Sequence, residues 1–103
     1  MITKKYITDE LNKFKTYGWD VKTFNYNKRM PSGAVGFVDH ILSHSKKGYI
    51  IFIEVKIGKD ELSKKQIDFR ETCLDIEKVN HHFQYYLLDD KNYVNILQRI
   101  IEL

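Results

Sequence analysis

Cysteine is nearly absent from this chain, and its scarcity closes off several classes at once. Cys73 is the only one among 103 residues. One cysteine cannot form an intramolecular disulfide, and it argues against a cysteine-ligated structural zinc site. Cys73 falls in an amphipathic segment, where a free thiol packs as a small hydrophobe. Long apolar runs are also missing: no stretch approaches the roughly 18–20 residues needed to span a bilayer. Residues 1–5 lack the apolar core of a signal peptide. The expectation is a soluble cytoplasmic protein with no membrane partner. There is no internal repeat, no low-complexity tract and no linker. The chain has one proline and five glycines. Its length suits one domain over residues 1–103, with one modest core.

What is present fits a globular domain. Hydrophobic residues make up 43%, charged residues 30% and aromatics 14%, so Phe and Tyr are expected to carry much of the core. The net charge is +3 and the pI about 8.9. That mild excess is compatible with a polyanionic partner and does not require one.

The element order is readable. Residues 8–17 suggest a first helix, capped by Thr8 or Asp9 and ended by Gly18. Residues 19–24 are rich in aromatic and β-branched types and suggest a strand. Residues 25–36 hold the only proline and two glycines and suggest a loop. Residues 37–43 and 49–57 suggest a hairpin across a short polar turn. The second of these, YIIFIEVKI, is the most apolar stretch and predicts a central strand covered on both faces. Residues 62–77 suggest a helix opened by a capping box of Ser63 and Gln66. Residues 82–88 suggest a fourth strand. Asp89 or Asp90 can cap a last helix running to Leu103. The predicted class is α/β, in the order αβββαβα, with one mixed sheet flanked by helices.

Glu54 and Lys56 are two charges inside that apolar strand. Burying an unpaired charge is costly, so they call for a partner or a function. A strand period of two places both on one face. Asp39 interrupts the preceding strand in the same way. A turn centred between Lys46 and Lys47 sets Asp39 opposite Glu54, where Cβ atoms lie about 4.5–5.5 Å apart. Two carboxylates that close repel unless a cation or a proton sits between them. Their hard oxygens suit Mg²⁺, with Mn²⁺ able to substitute. Such a cation can polarise a phosphodiester and activate water. Lys56 would stabilise charge on the phosphate or orient the attacking water. A plainer alternative is an exposed Glu54–Lys56 pair with Asp39 facing some other cation. His40 alternates away from Asp39, and His81 and His82 suit a polar strand end.

The order Gly36-Phe-Val-Asp39, then Ile53-Glu-Val-Lys56, then Leu62-Ser-Lys-Lys-Gln66 resembles the PD-(D/E)XK nuclease pattern. More narrowly, it is similar to the virus-type replication-repair nuclease family, whose motifs are G-x-P-D, E-x-K and S-x-x-Q in this order. Val38 stands where that pattern has proline. The resemblance implies a restriction-endonuclease-like core, a divalent metal and DNA cleavage. It makes Asp39 and Glu54 metal ligands, with the backbone carbonyl of Val55 as another. It makes Lys56 the catalytic lysine and gives Gln66 a supporting place in the active site. The family carries an acid on the first helix, for which Glu10 is the candidate; Glu10 could equally serve only to complement the helix dipole. Gln66 could likewise serve only the capping box.

A nuclease must hold a polyanion. Lys28 and Arg29 before the Asp39 strand, and Lys59, Lys64 and Lys65 after the Glu54 strand, are candidate phosphate contacts or plain solvated cations. The small stand-alone relatives, of phage and bacterial type, imply a homodimeric Holliday-junction resolvase acting on branched or four-way DNA. The alternatives are a less selective DNA nuclease or nickase, and a non-catalytic nucleic-acid-binding module.

Overall fold

The computed structural model describes residues 2–24 and 37–103. The expected loop at 25–36, with Lys28, Arg29 and Gly36, lies outside them. The described elements are α1 (Lys4–Asn12), a 3₁₀ turn (Lys13–Tyr17), β1 (Asp20–Thr23), β2 (His40–His44), β3 (Tyr49–Val55), α2 (Lys64–Val79), β4 (Phe83–Leu88) and α3 (Tyr93–Ile101). This is the expected order αβββαβα.

The first helix begins earlier than Thr8. Thr3 is its cap, extended in backbone and accepting the Tyr6 N–H at 3.0 Å. Starting there lets Ile7, Leu11 and Phe14 fall on one buried stripe. Thr8 sits inside the helix and donates its hydroxyl back to the Lys4 carbonyl at 3.0 Å. The α-helix also ends earlier than Tyr17, at Asn12, and the 3₁₀ turn carries the chain on to the expected stop at Gly18. Gly18 turns left-handed, with φ of 90°, and a Cβ there would come within 3.0 Å of His44 Nε2.

The sheet runs in the order β1-β2-β3-β4. The first three strands are antiparallel, and β4 joins β3 in parallel after the α2 crossover. The strand predicted to be central, β3, is flanked on both sides. Its residues alternate between two cores. Ile51, Ile53 and Val55 pack with Leu42, Leu88, Ile7, Leu11 and Ile100, against α1 and α3. Phe52 faces the other way, toward Phe69 and Cys73 of α2, with Tyr85 and Val38. A mixed sheet thus lies between α1 and α3 on one face and α2 on the other. No helix of the described residues is long and apolar enough to cross a membrane.

The last helix begins at Tyr93 rather than at Asp89 or Asp90. Asp89 still organises its approach: its carboxylate accepts the Lys91 and Asn92 N–H groups, each at 2.8 Å. Asn92 returns the bond, accepting from Asp89 N at 2.7 Å and donating to the Leu87 carbonyl at 2.9 Å.

Candidate active site at the end of the central strand

Alternation along β3 sends Ile50, Phe52 and Glu54 toward α2. Glu54 is 1% exposed, the most deeply buried charged residue described. Two groups answer its charge. Gln66 Nε2 donates to its Oε1 at 3.0 Å, and Lys56 Nζ lies 3.7 Å from the same oxygen. The Asp39 carboxyl lies near enough to act on it as a like charge. Lys56 is itself well covered and lies 3.9 Å from Asp60, which in turn pairs with Lys4 at 3.4 Å. The lysine is held between two acids, which fixes a long side chain that would otherwise be mobile.

The hairpin register is the expected one. His40 pairs with Ile53 and His44 with Tyr49, so one further step sets Asp39 beside Glu54. At that step the ladder slips. The Asp39 N–H donates to the Ile53 carbonyl at 3.1 Å, which leaves two residues of one strand opposite one of the other, as in a bulge. This is why β2 begins at His40, short of the expected 37. The slip turns the Asp39 side chain along the strand, where Oδ2 accepts the Val55 N–H at 2.8 Å. A strand residue's carbonyl points to the same side as its N–H. The Val55 carbonyl therefore faces the Asp39 side.

Burial pushes the Glu54 carboxyl up to about 8, the Asp39 charge adds to the rise, and Lys56 opposes it. At neutral pH the rise favours the protonated form of Glu54. A hard divalent cation would compensate the same repulsion, and the oxygen-only donors Asp39, Glu54 and the Val55 carbonyl fit one. Among the described residues no three His, Cys, Asp or Glu side chains gather into a larger metal-holding group. Glu10 does not join the pair. It lies in the last turn of α1, where it cannot complement the N-terminal dipole. Its partners are Lys13, at 3.0 Å, and the Tyr6 hydroxyl, and both hold its carboxyl below the usual range.

Gln66 completes the expected capping box and also touches Glu54. Its Oε1 accepts the Ser63 N–H at 2.9 Å while Ser63 Oγ accepts the Gln66 N–H at 3.2 Å. The other end of the same amide reaches Glu54. Lys59, Lys64 and Lys65 are exposed where β3 gives way to α2, beside the site. His40 is buried on the opposite face, with Nδ1 3.0 Å from the Thr23 hydroxyl. A cleft of about 420 Å³ opens beside Lys56. Lys91 adds a second cation to its lining, and Asp60, Glu61, Asp89 and Asp90 make that lining acidic.

Four neighbours of the site carry no signal in the sequence. Lys4 and Asp60 come from an opening helix and a connecting turn, and only folding brings them to Lys56. Tyr85 stands beside Phe52 on β4; burial raises its hydroxyl, Glu54 adds to the rise and Arg70 opposes it. Arg70 lies one turn beyond Gln66 on α2. Compared with family models, curated proteins and solved structures, the chain finds no match in any of the three.

Proposed function

We propose that this chain is a metal-dependent DNA endonuclease, a small member of the virus-type replication-repair nuclease family with a restriction-endonuclease-like core. The observation that carries the reading is the pairing of two carboxylates, Asp39 and buried Glu54, with Lys56 on the same strand face. Asp39, Glu54 and the Val55 carbonyl would hold Mg²⁺, with Mn²⁺ as a substitute. Bound there, such a cation would supply Lewis-acid chemistry at a phosphodiester. Lys56 presents an ammonium to the negative charge that builds on the phosphoryl oxygens in the transition state. Gln66 fixes the Glu54 carboxylate by donating to its Oε1. Lys59, Lys64 and Lys65 neutralise backbone phosphates.

The substrate is a branched DNA, most simply a four-way junction. One small domain offers one site, and symmetric resolution needs two, which a two-fold homodimer supplies. The test compares an end-labelled four-way junction with a matched linear duplex in Mg²⁺, in Mn²⁺ and in chelator. Paired symmetric cuts in the junction alone, abolished by chelator, are the expected result. Equal cutting of both substrates would leave a less selective nuclease or nickase. Metal-independent binding without cutting would leave a nucleic-acid-binding module and remove the enzyme.

A further inference from the structure

Arg70 is the one described residue with a buried side-chain nitrogen, its Nε, that has no hydrogen-bond partner. No ion pair among the described residues involves it. A guanidinium stays charged under all ordinary conditions, so leaving it half-buried without an anion is unfavourable. Its position in the helix is not accidental. Gln66, Arg70, Cys73 and Glu77 follow one another at helical spacing, and three of them touch the sheet. Gln66 donates to Glu54, Cys73 packs in the core beneath α2, and Glu77 accepts the Tyr85 N–H at 3.3 Å. Arg70 belongs to the same stripe, about 6 Å along the helix from Gln66. Tyr85 lies within electrostatic reach of Arg70, Glu54 and Asp39 together.

We infer that Arg70 is a phosphate-binding residue of the carboxylate site, receiving a backbone phosphate of the bound nucleic acid one helical turn along α2 from Gln66. This rests on the nuclease reading. The planar fork of a guanidinium matches two phosphate oxygens, and a phosphate would supply the anion that the described residues do not. Lys59, Lys64 and Lys65 are exposed and lose little if unpaired. Arg70 is the half-buried cation with a buried nitrogen left without a partner among the described residues. Its expected partner is a phosphate flanking the one attacked, because Lys56 already serves the site centre.

The test measures binding of a fluorescein-labelled four-way DNA junction to the intact chain in Ca²⁺, across a range of KCl concentration. Wild type, Arg70→Gln and Arg70→Lys are compared, with thermal midpoints taken in parallel. Arg70→Gln is expected to weaken binding about ten-fold or more and to lower the salt slope by about one unit. Its thermal midpoint should stay level or rise, because an unpaired buried charge has been removed. Arg70→Lys should restore the slope but only part of the affinity. Unchanged binding and slope in Arg70→Gln, beside a wild type that binds, would overturn the assignment and leave the nuclease reading standing. Loss of binding with an unchanged slope and a lowered midpoint would show a structural arginine and overturn it equally. A wild type that binds no DNA would remove both.

Discussion

Gln66 donates to Glu54 across 3.0 Å while its other amide atom caps its own helix. One side chain thereby ties the start of α2 to the end of β3. The two roles separate by substitution. Gln66→Glu keeps an acceptor for the Ser63 N–H but faces Glu54 with a second carboxylate instead of a donor. It should retain helix content by circular dichroism and lose cleavage by about ten-fold or more. Gln66→Ala should lose cleavage and also about 1 kcal/mol of stability from the cap. Full activity in Gln66→Glu would show that the cap is its only role.

Lys56→Ala should leave the fold in place and cut the single-turnover rate by about 10²–10³, the usual cost of removing one group that stabilises transition-state charge. Lys56→Arg keeps the charge but widens it, and Glu54 and Asp60 flank the lysine closely, so only partial activity is expected. A rate for Lys56→Ala within a factor of about two of wild type would remove Lys56 from the chemistry.

The Glu54 carboxyl makes the stability of the cation-free protein depend on pH. Its folded value, about 8, lies above its ordinary value of 4.5. Between these values the native state holds a proton that the unfolded chain has released. Stability from this group is therefore complete below the ordinary value and is lost as pH rises through the folded one, at up to about 1.4 kcal/mol per pH unit. In chelator, denaturation midpoints should fall from mildly acidic to mildly alkaline pH, and Glu54→Gln should flatten the fall. An equally steep profile in Glu54→Gln would place the titrating group elsewhere.

Glu10→Ala should leave cleavage unchanged, because its carboxylate is engaged by Lys13 and Tyr6 on its own helix. A loss of metal-dependent cleavage comparable to that of Glu54→Gln would return Glu10 to the metal site.

The sequence was most legible where local rules and burial agree. Alternating apolar residues with two interrupting charges marked β3 as central and put Glu54 and Lys56 on one face, and both hold. The polar turn at 45–48 was enough to set the register. The start of α1 was misread because Thr3 and Thr8 are equally good caps by residue type; tertiary burial of Ile7 chose between them. The slip at Asp39 had no residue signature. It arises from a backbone hydrogen bond to Ile53, and without it the Asp39 side chain would not reach Val55 N. Long-range partners such as Lys4 and Asp60 were illegible for the same reason, since no local pattern records which surfaces meet.

The most direct measurement is single-turnover cleavage of an end-labelled four-way junction by wild type and Glu54→Gln, each in Mn²⁺ and in chelator, with folding checked by thermal midpoint. Cleavage by wild type in Mn²⁺ alone, absent from a well-folded Glu54→Gln, is the predicted result. Cleavage that survives chelator, or that Glu54→Gln retains, would contradict a carboxylate-held metal as the centre of this site.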